Sequence, residues 1–288
     1  MDIKWLKTFI IAAKHENFRI ASEELFLTQP AVTKHIKRLE ETLHTELFNR
    51  IGKRISLTPA GHHFLPHAKV ILDEYEQGLE GFESWRQGFL KKLIIAAAPQ
   101  IASSILPWIL RSFMDKYPDI EVLVRIVSSY EIGEEISLSK ADIGLSRLKP
   151  IQANLHVETL FEDKVMLIAP PEEREEQEGH VLKKYRLITH NHPEYWDELI
   201  QDIKRNYPFV RTMMVNQMEI TKRFIEQGLG VSYLPYTAVM EEIKTAKLKE
   251  VKTNKITPPV STTYLVSKVN TAEANLFISF LQSKISMV

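Results

Sequence analysis

Asn17-Phe18-Arg19-Ile20-Ala21-Ser22-Glu23-Glu24-Leu25-Phe26-Leu27-Thr28-Gln29-Pro30-Ala31-Val32-Thr33 is the stretch whose reading decides the N-terminal fold. Ala21 and Leu25 lie one helical turn apart. After a short break a second helix carries Val32, Ile36, Leu39 and Leu43 as an inward stripe. Thr28 is placed to cap that helix, and Pro30 falls in its first turn, where a missing backbone N–H costs little. The pattern is helix, tight turn, helix. Gln29, Thr33, Lys34 and Lys37 are then pushed outward near the N-terminal half, the part a recognition helix presents to base edges in the major groove. Gln reads adenine, Thr reaches bases or phosphates, and Lys serves phosphates or guanine.

A polar outer face is common to all amphipathic helices, so the flanking segments have to decide. Upstream, Ile3, Leu6, Ile10 and Ala13 keep helical spacing. Downstream, Leu47-Phe48-Asn49-Arg50-Ile51-Gly52-Lys53-Arg54-Ile55-Ser56-Leu57-Thr58 reads as two apolar strands around a glycine turn, a small hairpin carrying Arg50, Lys53 and Arg54. Such a wing suits a narrow minor groove or a phosphate row. The expected DNA-contacting set is Thr28, Gln29, Pro30, Thr33, Lys34, Lys37, Arg50, Lys53 and Arg54. Overall charge argues neither way, since 37 Lys and Arg balance 37 Asp and Glu. Distribution matters more than the sum. Between Lys34 and Arg54 the cations meet only Glu40, Glu41 and Glu46. A later acidic run, Glu172 to Glu178, reads as a solvated loop or helix end.

Thr58 and Pro59 open a long helix. Leu65, Ala68, Leu72, Tyr75, Leu79 and Phe82 alternate spacings of three and four, the seam of a helix packed on a partner helix; a core helix of the same chain is the alternative. Gly88 ends it. After Lys92 strands and helices alternate, which implies an α/β architecture with largely parallel sheets. Nearly 200 residues of it suggest two lobes. The expected domains are a winged helix-turn-helix over 1–58, a dimerising linker helix over 59–90, and an effector-binding part over 91–288. Lobe I takes 91–162 and 263–288, and lobe II takes 163–262.

In open α/β sheets ligands bind beyond the carboxyl ends of strands. Here those ends carry Gln100 and Ser103, Ser128 and Ser129, Ser146 and Arg147, and on the second lobe His190 and Gln217. These eight are the expected effector-binding residues. Helix N-termini and hydroxyls favour anions, and Arg147 is suited to fork onto a carboxylate, so a small carboxylate is the expected effector. No cofactor is expected.

Several classes are disfavoured. With no cysteine there is no disulfide, thiolate metal site or cysteine nucleophile, which suits a reducing cytoplasm. The N-terminus lacks the apolar core of a signal peptide. Leu93 to Leu110 is interrupted by Pro99, Gln100, Ser103, Ser104 and Pro107, whereas a membrane span needs about 20 mostly apolar residues. His63 with His67, and His190 with His192, lack a third ligand at telling spacing, so neither a metal site nor catalysis is expected. Gly228-x-Gly230 ends a helix instead of opening one and is no dinucleotide fingerprint. A solute-receptor-like binding protein is the remaining alternative, and it leaves the first 60 residues unexplained.

Phe9-x-x-x-Ala13, Ala21-x-x-Leu25-x-x-Thr28-Gln29-Pro30-Ala31-Val32-Thr33, Ile36-Lys37-x-Leu39-Glu40, Leu47-Phe48-x-Arg50 and Leu57-Thr58-x-Ala60-Gly61 together resemble the LysR-type transcriptional regulators. The resemblance implies a DNA-binding regulator, not an enzyme, acting as a homodimer or homotetramer on double-stranded promoter or operator DNA. It also implies a linker helix and a periplasmic-binding-protein-like domain for a small-molecule effector, contacted at Gln100, Ser128 and Arg147. Two departures stand out: His44 occupies a position where the family usually has glycine, and Thr33 and His35 replace a common Ser and Gln. Thr189-His190-Asn191-His192-Pro193-x-Tyr195-Trp196-Asp197 and Ile220-Thr221-Lys222-Arg223-Phe224-Ile225 look like the branch of that family that represses a citrate synthase gene.

Overall fold

The computed structural model describes residues 1–51, 54–174, 177–269 and 271–285, without the side chains of Arg50, Ile51 and Arg54. It forms two compact units, Met1–Gly88 and Phe89–Val288.

The first unit runs α1 (Ile3–His15), α2 (Phe18–Glu24), α3 (Gln29–Leu43), β1 (Phe48–Ile51), β2 (Arg54–Leu57) and α4 (Pro59–Arg86). Each short helix starts on a side-chain cap: Asp2 accepts from the Lys4 N–H, Asn17 from Arg19 and Ile20, and Thr28 from Ala31. Phe9, Phe18 and Phe48 pack edge-on at 5.3–5.6 Å and, with Leu6, Val32, Ile36 and Leu39, fill the core. Glu40 Oε1 accepts the Leu47 and Phe48 N–H groups at 2.9 and 3.2 Å, which pins β1 against α3. Gly61 is a packing requirement: a Cβ there would sit 2.2 Å from the Leu47 carbonyl oxygen.

His44 closes α3 in the left-handed region, at φ 52°. A side chain with a Cβ is strained in that region, at a cost of about 1 kcal/mol. His44→Gly is therefore expected to stabilise the first unit by about that amount, less some backbone entropy, and to raise its melting temperature by a few degrees. Differential scanning calorimetry of the full chain checks this.

The two readings of α4 share the helix. Leu65 and Ala68 pack into the unit's own core, whereas Tyr75, Leu79, Phe82 and Trp85 lie exposed along the later turns. Gly88, at φ 94°, follows its last turn.

The second unit runs β3 (Lys91–Ala97), α5 (Pro99–Ser103), α6 (Leu106–Lys116), β4 (Ile120–Ile126), α7 (Ser129–Ser137), β5 (Ile143–Ser146), β6 (His156–Ala169), α8 (Glu178–Lys184), β7 (Arg186–Thr189), α9 (Trp196–Asn206), β8 (Arg211–Met214), α10 (Met218–Glu226), β9 (Ser232–Pro235), α11 (Tyr236–Lys244), β10 (Lys249–Val251), β11 (Val260–Ser267) and α12 (Ala272–Ile285). Lobe I is built on β3, β4 and β5, which run parallel, with β11 antiparallel to β5. The C-terminal half of β6 pairs antiparallel with β9 and β10 in lobe II, where β7 and β8 are parallel. β6 and β11 pair along Val260–Ser267 and cross between the lobes. The expected largely parallel sheets are thus only partly realised, because these two crossing strands run back through both lobes.

The acidic run departs further from expectation. Glu178 is fully buried and accepts from the Tyr233 and Tyr207 hydroxyls at 2.7 and 2.9 Å and from the Asn254 and Lys255 N–H groups at 3.2 and 3.1 Å. Glu173 is also buried and takes Lys184 Nζ at 2.6 Å. Buried carboxylates are tolerated when donors surround them. Glu172 stays exposed, and Glu175 and Glu176 lie outside the described residues.

Candidate DNA interface and effector cavity

On α3 the division of faces is clean. Val32, Ile36 and Leu39 are fully buried, while Gln29, Pro30, Lys34 and Lys37 are exposed and Thr33 is half-buried. Thr28 is an exposed cap whose hydroxyl accepts the Ala31 N–H at 3.4 Å. Lys37 meets Glu41 only loosely, at 3.8 Å, and remains available for a phosphate. His35 is withdrawn from the outer face, since its Nδ1 lies 2.9 Å from Thr8 Oγ1 of α1. Arg50 and Arg54 occupy the paired strands of the hairpin, with Arg50 opposite Ile55 and Ile51 opposite Arg54. Lys53 lies outside the described residues. On this geometry Gln29→Ala is expected to change which sequences are preferred. Lys34→Ala is expected to weaken binding to all duplexes and to lower the salt slope by about one unit. Fluorescence anisotropy over a salt series reads both.

In the second unit a cavity of about 680 Å³ opens between the lobes. Gln100, Ser128, Ser129, His190 and Gln217 of the expected set line it. Ser128 caps α7, and Gln217 stands at the start of α10. His190 sits at φ 64° with its ring 6.5 Å from that of Trp196. Gln100 Nε2 donates to the Asn191 carbonyl at 2.6 Å and so ties α5 of lobe I to the loop after β7. Asn191 is itself fixed, donating to Ser232 Oγ and accepting from Trp196 Nε1.

Three expected residues are not on this wall. Ser103 is exposed and donates to Glu219 Oε1 at 2.8 Å beside the opening. Ser146 is fully buried, its hydroxyl donating to the Leu148 carbonyl at 2.7 Å. Arg147 is also fully buried, and the expected fork onto a ligand carboxylate has to be corrected. Its Nη1 donates to Ser261 Oγ at 3.1 Å and its Nη2 to Thr237 Oγ1 at 3.3 Å, with Asp163 at 3.8 Å. A guanidinium cannot stay buried without partners, and β6, β11 and α11 supply them for both Nη atoms, while Nε has none among the described residues. Burial pushes the Asp163 carboxyl up, against hydrogen bonds from Thr237 and the charge of Arg147.

Sequence reasoning missed Tyr130, Glu194, Trp196, Asp197, Met218 and Glu219 on the cavity wall. A signal was present for the first. Ser128-x-x-Glu131 is a capping box, and recognising it would have placed α7 with Tyr130 in its first turn.

His192, beside Arg147, is buried and shares Ser261 Oγ at 2.8 Å. Burial, then the charge of Arg147, push its pKa down to about 3. The unfolded chain takes up this proton near pH 6.5 and the folded chain does not, so stability falls as the pH drops from 6.5 toward 3. His192→Gln is expected to flatten that acid limb. Urea unfolding at pH 7 and pH 5 measures it.

An outward polar recognition face on one unit and a two-lobed cavity on the other define a DNA-binding, ligand-responsive regulator. Residues 3–62 match the bacterial regulatory helix-turn-helix protein, lysR family, and residues 86–286 match the LysR substrate binding domain. The chain belongs to the LysR family of transcriptional regulators, and it is not an enzyme. It is 42% identical over 286 residues to the HTH-type transcriptional regulator CitR of Bacillus subtilis (strain 168), covering 98% of each chain. The uncharacterized HTH-type transcriptional regulator YxjO of the same organism is 38% identical, covering 98% of this chain and 97% of that one. Full-length CbnR complexed with its target DNA shares the fold at TM-score 0.67 and 20% identity, covering 98% of this chain and 99% of that one. Vibrio fischeri DarR in complex with DNA does so at TM-score 0.65 and 21% identity, covering 98% of both chains. Among the described residues no helix is long and apolar enough to cross a membrane.

Proposed function

We propose that this chain represses a citrate synthase gene from the cytoplasm, binding its promoter as a homodimer or homotetramer under the control of a small molecule held between the lobes. The observation that carries the DNA part is the outer face of α3, where Gln29, Thr33, Lys34 and Lys37 stand clear of a fully buried stripe. The exposed Tyr75, Leu79, Phe82 and Trp85 of α4 supply an apolar surface for a second copy. Whole-length similarity to CitR and the resemblance carried by the stretch from Thr189 to Asp197 support the target gene. A binding protein without a regulatory role would leave the first unit without a purpose.

The test is a promoter fragment of the citrate synthase gene from the same genome, with expression of that gene followed in a deletion strain. Repression predicts saturable, salt-sensitive binding to the fragment and raised expression on deletion. Unchanged expression with no preference for the fragment over random duplex would reject the target. The effector follows from the chemistry of the cavity wall, since the cation expected to receive a carboxylate, Arg147, is engaged elsewhere.

A further inference from the structure

The cavity wall is acidic. Glu194, Asp197 and Glu219 line it, and no Lys or Arg does. The two buried cations nearby are mainly engaged elsewhere, although the charge of Arg147 also acts on Glu194. Arg147 is buried with Asp163, and Lys222 is buried between Glu219 at 3.0 Å and Glu242 at 2.8 Å. Glu219 is thereby neutralised in part, but no ion pair to Glu194 or Asp197 is formed among the described residues, and both are exposed on the wall.

The neutral groups point the same way. Gln100 must aim its Nε2 at the Asn191 carbonyl, so its amide orientation is fixed, and its Oε1 is buried without a partner among the described residues. A donor reaches that enclosed oxygen only through a small shift of the Gln100 side chain, which a ligand bearing a donor would favour. Tyr130 adds an exposed aromatic ring to the wall, a surface that attracts cations. The helix N-termini at the wall would on their own favour anions. Those of α7, α9 and α10 come with their own carboxylates, however: Glu131 accepts the Ser128 N–H and hydroxyl on α7, Asp197 stands in the first turn of α9 and Glu219 in that of α10, and only the five-residue α5 has none.

We propose that the interlobe cavity takes a small molecule bearing a cationic donor group, an amine or a guanidinium, and disfavours simple carboxylates. This rests on the reading of the cavity as the effector site and names the class of ligand it selects.

The absence of cysteine allows a direct test in the full-length protein. Ile126, exposed on the cavity wall, is replaced as Ile126→Cys. Its reaction rates with cationic trimethylammonioethyl and anionic sulfonatoethyl methanethiosulfonate are compared, each normalised to 2-mercaptoethanol. Carboxylates within reach of the thiol should favour the cationic reagent by about tenfold. Adding Glu194→Gln and Asp197→Asn should return the ratio toward one. A normalised ratio at or below one, or a thiol that neither reagent reaches, overturns the proposal. Promoter affinity of the labelled protein separates the two readings. A cationic preference with unchanged affinity leaves the charge of the wall standing and removes the cavity as the effector site.

Discussion

Arg147→Ala is expected to destabilise the second unit by about 3–5 kcal/mol, because it leaves the Asp163 carboxylate buried without its cation. Ser261, Thr237 and His192 converge on the same point, so the loss also removes the partner that draws β6, β11 and α11 together. The pH dependence carries a signature. Without Arg147 the Asp163 pKa, already raised by burial, rises further, and the folded chain holds that proton more tightly than the unfolded one. Stability contributed by the protonated group is lost as the pH rises, so the variant should regain stability between pH 7 and pH 5. The acid limb set by His192 in the parent runs the opposite way. Replacing both charges, Arg147→Met with Asp163→Leu, should cost far less than Arg147→Ala alone, since a pair swapped for apolar groups leaves nothing uncompensated. Urea unfolding of the three proteins at both pH values decides. A single variant as stable as the parent would mean that the buried pair does not hold the lobes.

Glu178→Ala should be comparably damaging, at about 4 kcal/mol. The carboxylate accepts from two phenols and the backbone around Asn254 and Lys255, and each buried donor left unpaired costs about 1–3 kcal/mol, with partial relief from water. Glu178→Gln keeps one acceptor oxygen and should fall between. Hydrogen exchange should show the loss concentrated in β7, β9 and the 254–256 segment. Uniform exchange across both lobes would instead indicate a general effect of the substitution.

Glu178 also shows where the sequence stops being legible. A glutamate at the end of Glu172–Glu178 has the composition of a solvated tail, and only the arrival of Tyr207, Tyr233 and the 254–256 backbone, distant in sequence, makes it a core residue. Arg147 is the same case: as the last residue of a strand-end motif it looks like a ligand anchor, and its partners come from strands far along the chain. The first unit was far more readable, because Thr28, Pro30 and the Val32-Ile36-Leu39 stripe are local signals for cap, first turn and buried face. His44 was legible too, as a glycine-like position held by a histidine. The cavity was half legible. Gln100, Ser128, His190 and Gln217 follow from strand ends, whereas Glu194, Asp197 and Glu219, which set its charge, belong to helix starts and loops without a strand-end signature.

Whether the α3 face from Gln29 to Lys37 reads DNA is decided by selecting duplexes from a random pool with the full-length protein. The parent chain is expected to enrich a defined motif, and Gln29→Ala to change the base preference within it. Lys34→Ala should select the same motif with uniformly weaker, less salt-sensitive binding. No enrichment by the parent, or one identical motif at one affinity from all three proteins, would contradict a DNA-reading role for that face.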